Sequence, residues 1–278
     1  MTKNIFFGHN GNKLIKNTLC NVSENFDWIF CSTKIIKQKE KPRTIYIKTD
    51  YMKKYYTEIE KINNDFILVS AASDICLELS NKEVYNKYLK LPNLKKWYGE
   101  NMLTDNPKID SLTVGFATHK PEYEKMLLSY SKQKNAGYFG VFCCWRDSHN
   151  DYKEFTERKE LTKITNPLFT YYNQLSNEGF FERLLEYKFT LCPLGNGLDP
   201  APRIIECLFL GSVPIVRYNK NSYRLYKDFP VLFIEDWRDI NNELLESKGE
   251  ELWIKLQVND YRPNFLISNI IKRINSGV

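Results

Sequence analysis

Short apolar runs alternate with polar stretches along the first half of the chain, and each run has the length of one strand. Segments with a helical pattern, such as NKLIKNTL and NKEVYNKYLK, lie between several of these runs. Alternating strands and helices are typical of a mainly parallel sheet covered by helices, which is the α/β class. The predicted strands of this half are NIFF at 4–7, FDWIFCS at 26–32, TIYIKT at 44–49, FILVSAAS at 66–73 and LTVGF at 112–116.

A polar segment, SKQKNAG at 131–137, interrupts the alternation and is typical of a linker. Beyond it the pattern predicts the strand YFGVFCCW, a helix near Glu157, helical text through FFERLLEYK, the strand FTLCP, a helix from Pro202, and the strands SVPIVR and VLFIED. We therefore expect two α/β domains, 1–132 and 138–260. The remaining segment, 261–278, predicts a helix that could pack back on the first domain.

The composition agrees with a folded globular protein, since 42% of the residues are hydrophobic and 14% are aromatic. No apolar run reaches the length of a membrane span, and the first residues lack the apolar core of a signal peptide. The number of cysteines is odd, seven, and most of them lie in apolar segments, which favours reduced thiols. We expect a cytoplasmic protein with no transmembrane segment.

The net charge of +6 is modest, and the densest basic text is KIIKQKEKPR at 34–43. We interpret it as a solvated loop, because no interleaved aromatic residues accompany it, and we expect no nucleic-acid partner. No CxxC pair occurs and only three histidines are present. A zinc site is therefore not expected, and neither is any other bound cofactor.

The segment FTLCPLGNGLDPAPRIIECLFLGSVPIV at 189–216 combines a strand, a glycine-containing turn and the start of a helix. Pro202 suits the first helical position, and Gly211 suits a left-handed helix end. Gly195 and Gly197 would let a ligand approach the backbone of the turn closely. A turn of this kind followed by a helix N-terminus is a site where anions bind.

Arg203 and Glu206 stand in the first turns of that predicted helix. A cation there opposes the helix dipole and costs up to ~1 kcal/mol unless an anion lies beyond it. A diphosphate would supply that anion, and Glu206, one turn along on the same face, could reach a ribose diol. The competing interpretation is a surface ion pair between the two residues, although arginine before glutamate is the less favourable order.

Two other nucleotide-binding patterns fit the chain poorly. In GNGLDP the third glycine of a dinucleotide-binding turn is replaced by Pro200, and no acidic residue ends the strand SVPIVR. No GxxxxGK[ST] sequence occurs, so a P-loop is excluded.

The run KFTLCPLGNGLDPAPRIIECLFLGSVPIV, followed by DFPVLFIEDW at 228–237, resembles the C-terminal signature of exostosin-like glycosyltransferases. Three further stretches resemble the N-terminal half of that family more weakly. They are FILVSAASD at 66–74, LKKWYGEN at 94–101 and LTVGFATH at 112–119.

The resemblance implies a GT-B fold, in which two Rossmann-like domains face each other across a cleft. The nucleotide-sugar donor would be held mainly by the C-terminal domain. Arg203 would contact its diphosphate and Glu206 its ribose, and Arg158 matches a further arginine of the family, with Arg146 competing for that role. The expected donor-binding residues are Arg203, Glu206, Arg158, Gly195, Asn196, Gly197, Asp199 and Pro202.

The expected function is transfer of a hexose or pentose from a nucleotide sugar, with UDP or GDP as the nucleotide, to a glycan, glycoprotein or other hydroxyl acceptor. The resemblance implies inversion at the anomeric carbon. No DxD sequence occurs, so arginines and a helix N-terminus would neutralise the leaving diphosphate without a metal ion. The main alternative is a non-catalytic nucleotide- or glycan-binding protein of the same fold, followed by a Rossmann-type oxidoreductase.

An inverting transfer needs a base, and we expect it in the N-terminal half, just past the end of a strand. Three candidates stand there: His9, Asp74 and His119. Asp74 is the first choice because the apolar residues after it could desolvate it, and His9 is the second because imidazole titrates near neutrality. The ordinary alternatives are a helix N-cap for Asp74 and a solvated turn for His9.

Overall fold

A computed structural model describes residues 25–31, 34–115, 121–146, 157–265 and 267–276. The described residues form two compact units. The first contains the residues up to Gly115 together with those from Asn264 onward, and the second runs from Pro121 to Pro263. Each unit has its own sheet with mainly parallel pairing, so the α/β class is confirmed. None of the helices in the described ranges is long and apolar enough to cross a membrane.

The first unit contains a six-stranded sheet of order β2-β1-β3-β4-β5-β6. Every neighbouring pair is parallel except β1 with β2. The strands are β1 Trp28–Cys31, β2 Lys34–Lys37, β3 Thr44–Lys48, β4 Phe66–Ala71, β5 Leu94–Glu100 and β6 Ile109–Leu112.

Helices cover both faces of this sheet. They are α1 Met52–Ile59, α2 Leu77–Ser80, α3 Lys82–Leu89 and α11 Ile267–Asn275, with a 3-10 turn at Thr49–Tyr51. One core contains Tyr55 of α1 and Tyr88 of α3 packed with Trp97 of the sheet. The other contains Ile270 and Ile274 of α11 packed with the opposite sheet face. The C-terminal helix is therefore part of the first unit.

The second unit contains a five-stranded sheet of order β11-β10-β9-β7-β8 in which every pair is parallel. The strands are β7 Tyr138–Cys143, β8 Phe169–Tyr171, β9 Tyr187–Leu191, β10 Val213–Arg217 and β11 Leu232–Ile234. The helices are α4 Pro121–Tyr130, α5 Glu157–Leu161, α6 Asn177–Glu186, α7 Arg203–Leu210, α8 Lys220–Tyr226, α9 Asn242–Leu244 and α10 Glu250–Val258. Single turns of 3-10 or π type occur at Trp237–Asp239, Leu245–Gly249 and Arg262–Phe265.

The strand order of the second unit reverses direction between β7 and β9. The chain runs outward from β7 to β8, crosses back to β9 on the other side of β7, and continues outward to β10 and β11. In open α/β sheets ligands bind outside the carboxyl ends of the strands at such a switch point. The loops that leave β7 and β9 therefore flank the expected ligand crevice.

The structure places α4 in the second unit, whereas the sequence pattern assigned it to a first domain ending at residue 132. The reason is aromatic packing, since the rings of Tyr123 and Tyr130 lie 5.3 and 5.7 Å from that of Phe181 in α6. The polar segment 131–137 is therefore internal to this unit. Within it, Asn135 Nδ2 donates a hydrogen bond of 2.8 Å to the carbonyl of Leu184.

Several predicted elements differ from the structure. The basic segment 34–43 begins with the edge strand β2 rather than being a loop throughout, as lysines are common on edge strands. Strand β6 ends at Leu112, before most of the predicted run LTVGF. The predicted elements NIFF and NKLIKNTL lie outside the described residues.

Candidate functional site

Helix α7 begins at Arg203, directly after the turn that leaves the central strand β9. Pro202 is the cap residue, with φ −77°, and stands one position before the first helical residue rather than at it. Gly211 ends the helix in the left-handed conformation, with φ 80°, as its position in the sequence predicted. The N-terminus of α7 therefore opens at the carboxyl edge of the sheet, beside the switch point.

The Arg203 side chain lies over an aromatic ring and lacks partners for part of its guanidinium. Its guanidinium carbon is 5.3 Å from the centre of the Phe180 ring. The Nε and Nη1 atoms are buried, and no described residue accepts a hydrogen bond from either. Arg203 and Glu206 form no ion pair with each other in the described structure, so the surface-pair interpretation is wrong.

Glu206 is buried, with only 4% of its surface exposed. Its Oε1 accepts a hydrogen bond from the hydroxyl of Tyr123 in α4. Burial raises the pKa of Glu206 to about 6, although the Tyr123 hydrogen bond and the charge of Arg203 act in the opposite direction. Burial also raises the pKa of Tyr123, and the adjacent carboxylate raises it further. The carboxylate is therefore fixed in orientation by a residue that the sequence pattern did not single out.

Two consecutive residues of α5 hold both polar groups of one peptide residue, Leu194, at the start of the glycine turn. Glu157 Oε2 accepts the Leu194 N–H at 2.8 Å, and Arg158 Nε donates to the Leu194 carbonyl at 3.0 Å. Arg217, at the end of β10, contacts Glu157 Oε1 at 2.9 Å. Burial raises the pKa of Glu157, while the hydrogen bond from Leu194 and the charge of Arg217 oppose that rise.

Arg158 also fastens the loop that leaves β7, since its Nη1 donates to the carbonyl of Arg146 at 2.7 Å. A Cβ at Gly195 would lie 3.2 Å from Arg158 Nη2. Neither Gly195 nor Gly197 adopts a positive φ, so the turn does not use their left-handed freedom. Gly195 instead provides space for the Arg158 guanidinium.

Helix α8 holds the second half of the turn, residues 198 and 199, through side-chain hydrogen bonds. Asp199 is buried, and its Oδ1 accepts hydrogen bonds from the Ala201 N–H at 2.9 Å and the Tyr226 hydroxyl at 2.8 Å. Ser222 Oγ donates to the carbonyl of Leu198 at 3.0 Å. Asp199 therefore shapes the turn. Asn196, in contrast, is exposed at its tip.

A cavity of about 550 Å³ opens at the carboxyl ends of β7 and β8. Trp145 and Tyr171 meet edge to face in its wall, with ring centres 5.5 Å apart. Burial raises the pKa of the Cys143 thiol in this wall, and the charge of Arg203 opposes that rise. The lining residues are Cys143, Cys144, Trp145, Arg146, Thr162, Tyr171, Tyr172, Asn173 and Gln174.

Of the candidate bases, only Asp74 falls within the described residues, while His9 and His119 lie outside them. Asp74 is half-buried in the turn that follows β4. It is not a helix cap, because the cap position of α2 is Cys76. Backbone strain surrounds this turn, since Ala72 has φ 62° and Asn101, whose Nδ2 donates to the Ser73 carbonyl at 2.9 Å, has φ 55°.

Tyr123, Glu157 and Arg217 are site residues that the sequence pattern did not identify. Glu157 contacts the turn directly, whereas Tyr123 contacts Glu206 of α7 and Arg217 contacts Glu157. None of the three stands in a recognisable motif. Six cysteines are described, and all six are buried with none in a disulfide, while Cys20 lies outside the described residues. The described ranges contain no group of three or more histidine, cysteine, aspartate or glutamate residues that could hold a metal ion.

No protein-family model matches the chain, and no curated protein is significantly similar to it.

Proposed function

We propose that this chain is a glycosyltransferase that uses a nucleotide sugar as donor. The observation that carries the proposal is Arg203, whose buried Nε and Nη1 have no hydrogen-bond acceptor among the described residues. Buried N–H groups without acceptors are costly, and an anionic ligand that accepted hydrogen bonds from Nε and Nη1 would remove that cost. A diphosphate is suited to this position because arginine binds phosphate oxygens strongly and α7 directs its positive dipole end there.

The cavity at the carboxyl ends of β7 and β8 is suited to the nucleoside part of the same ligand. Trp145 and Tyr171 offer aromatic surface for a base, and the cavity lies on the adjoining strands β7 and β8. Arg146 is exposed and lines this cavity, whereas Arg158 is engaged with the backbone of Leu194 and Arg146. We therefore assign the second phosphate-binding arginine to Arg146 and give Arg158 a positioning role.

We propose that the Glu206 carboxylate accepts hydrogen bonds from the ribose hydroxyls of the nucleotide. Tyr123 fixes its carboxylate one turn along α7 from Arg203, so the two side chains could bind neighbouring groups of one nucleotide. The resemblance to exostosin-like enzymes, stated above for residues 188–216 and 228–237, supports the same pair of roles.

The proposed reaction transfers the sugar with inversion. The acceptor oxygen attacks the anomeric carbon from the face opposite the diphosphate, the bond to the diphosphate oxygen breaks, and the base takes the acceptor proton. The positive charges at Arg203 and Arg146 stabilise the leaving diphosphate, so no metal ion is required. The proposal includes a GT-B arrangement, in which the first unit supplies the acceptor site and the base.

Binding of UDP, GDP, CDP and their sugars, followed by thermal unfolding, tests the proposal. A ligand present at a hundredfold excess over its dissociation constant adds ~2.7 kcal/mol of stability, which raises the melting temperature by several degrees. Arg203→Met keeps the apolar stem on Phe180 but removes the charge, and it should abolish the effect. Arg203→Lys should restore it poorly, because lysine lacks the bidentate fork. Arg43→Ala, an exposed arginine of the first unit, is the matched control.

Three outcomes are informative. Stabilisation by a nucleotide that depends on Arg203 supports the site, and release of free sugar from the bound donor supports catalysis. Binding without any sugar release or transfer would instead indicate a non-catalytic binding protein. If no nucleotide stabilises the parent, or if Arg203→Met binds as the parent does, the proposed function is wrong.

A further inference from the structure

Two exposed tyrosines form an aromatic pair at the carboxyl end of β10 and β11. Tyr218 directly follows β10, and its N–H donates to the carbonyl of Ile234 at 2.8 Å. Its ring centre lies 5.3 Å from that of Tyr223 in α8, which in turn lies 5.3 Å from that of Phe233 in β11. Tyr218 and Tyr223 are 42% and 43% exposed, so the pair presents open ring surface.

The pair is tied to the glycine turn by short contacts. Helix α8, which carries Tyr223, also carries Ser222 and Tyr226, and these bond the Leu198 carbonyl and the Asp199 carboxylate of the turn. Adjacent large apolar groups left exposed on a well-packed edge often mark a binding surface. Any ligand anchored at the turn would meet a surface held in a fixed position relative to it.

The order of sites along the sheet edge matches the order of groups in a nucleotide sugar. The cavity lies at β7 and β8, Arg203 follows β9, and the tyrosine pair lies at β10 and β11. A nucleotide sugar likewise carries its diphosphate between a nucleoside and a sugar. With strands ~4.8 Å apart, the two outer sites are separated by two to four strand spacings, or ~10 to ~19 Å, which an extended nucleotide sugar can span.

We propose that Tyr218 and Tyr223 form the subsite that receives the transferred sugar, whose pyranose ring stacks on their exposed faces. One face of a pyranose presents C–H groups with partial positive charge, and these pack favourably on the electron-rich face of a phenol ring. This inference rests on the proposed donor site at Arg203. It adds a part of that site for which no motif in the sequence gave a signal.

Affinity measurements on two ligands test the subsite separately from the nucleotide site. Isothermal titration compares two ligands. One is a nucleoside diphosphate, UDP or GDP, and the other is the nucleotide sugar with the same nucleotide that binds the parent most tightly. A Tyr218→Leu/Tyr223→Leu variant keeps apolar volume but removes both rings. We expect it to bind the nucleotide sugar at least tenfold more weakly and the nucleoside diphosphate within twofold of the parent.

Two further variants separate ring stacking from other effects. Tyr218→Phe/Tyr223→Phe keeps the rings without their hydroxyls and should bind the nucleotide sugar within threefold of the parent. Tyr138→Leu removes an exposed ring at the amino end of the same sheet, where Tyr138 is 61% exposed, and should change neither affinity. The melting temperature of every variant shows whether it is folded.

Three other results of the affinity measurements would overturn the sugar subsite. An equal effect of the double leucine variant on both ligands would place the rings under the nucleotide and overturn the sugar subsite. Unchanged binding of both ligands would also overturn it, while leaving the proposed function intact. If neither ligand binds the parent, the proposed donor site fails and the subsite fails with it.

Discussion

The hydroxyl of Tyr123 in α4 donates a hydrogen bond to the buried carboxylate of Glu206 in α7. The two residues are 83 positions apart in the sequence, and the contact joins the first helix of the second unit to the helix that carries Arg203. A buried glutamate next to a tyrosine, with its pKa raised to about 6, should make the stability of this unit depend on pH.

Glu206→Gln should remove a pH-dependent part of the free energy of unfolding. Because the pKa of Glu206 is higher in the folded protein, its stabilising contribution is full below pH 4.5 and is lost as the pH rises through about 6. A pKa of about 6 against an ordinary 4.5 amounts to ~2 kcal/mol at ~1.36 kcal/mol per pH unit. The variant should therefore gain ~2 kcal/mol relative to the parent between pH 4 and pH 7.5 in urea titrations.

Tyr123→Phe provides the companion measurement. It removes the hydrogen bond that lowers the pKa of Glu206, so the loss of stability should move to higher pH than in the parent. A stability difference between Glu206→Gln and the parent that stays constant with pH would show that Glu206 does not titrate in this range.

Arg217 and Glu157 should show strong energetic coupling in a double-mutant cycle. Glu157 is 2% exposed, so Arg217→Met leaves its carboxylate buried without its cation, which typically costs ~3 kcal/mol. Glu157→Leu removes that carboxylate, and the double variant should therefore lose at least ~1 kcal/mol less than the sum of the single variants.

The matched control for this cycle is the exposed pair of Arg238 and Asp236, joined at 3.1 Å. Exposed pairs contribute little, and the coupling there should be at most ~0.5 kcal/mol. Equal coupling in the two cycles would contradict a buried structural role for Glu157.

Gly211→Ala and Gly195→Ala should differ in their effect on stability. Gly211 has φ 80°, and an added Cβ would lie 3.1 Å from Asn135 Cβ, so alanine there should cost ~1 to ~2 kcal/mol. Gly195 has no positive φ, and its new Cβ would approach a single side-chain atom, Arg158 Nη2 at 3.2 Å, so the cost should stay below ~1 kcal/mol. Denaturant titration measures both. A larger loss at Gly195 would show that the turn cannot yield around Arg158.

Asp74→Asn should lower the turnover rate at least ~100-fold if Asp74 is the base of the proposed reaction. Asparagine is nearly isosteric but cannot accept the proton, so the melting temperature and donor affinity should stay close to those of the parent. Single-turnover assays with saturating donor measure the chemical step. Near-normal turnover in Asp74→Asn, together with an inactive His9→Gln that still binds donor, would assign the base to His9.

Buried parallel strands were the most predictable part of the fold. A strand covered on both faces is apolar at nearly every position, as in residues 66–69 and 213–216, and such a run is easily distinguished from the polar residues around it. Strand β5 was not predicted, because Lys95 and Lys96 interrupt its apolar run near a more exposed end. The edge strand β2 was taken for a loop for a similar reason, since lysines flank its two isoleucines.

The candidate site was predictable only where its chemistry is local in the sequence. The turn, the start of α7 and the unusual place of Arg203 all follow from one continuous segment. The partners of that segment do not, since Glu157 reaches Leu194 across 37 positions and Tyr123 reaches Glu206 across 83. Such contacts depend on how distant elements pack, and no spacing rule along a single chain encodes them.

Glu157 and Arg158, which together bond the N–H and carbonyl of Leu194, restrict which residues at the carboxyl edge of the second sheet can be substituted. Through these two neighbours, one short helix joins the exits of three strands, at Arg146, Leu194 and Arg217. A substitution that reshapes any one exit must therefore accommodate the other two. Changes in ligand preference should therefore arise at residues that take no part in these contacts. Asn196, which is exposed at the tip of the turn, can be substituted without breaking any of them.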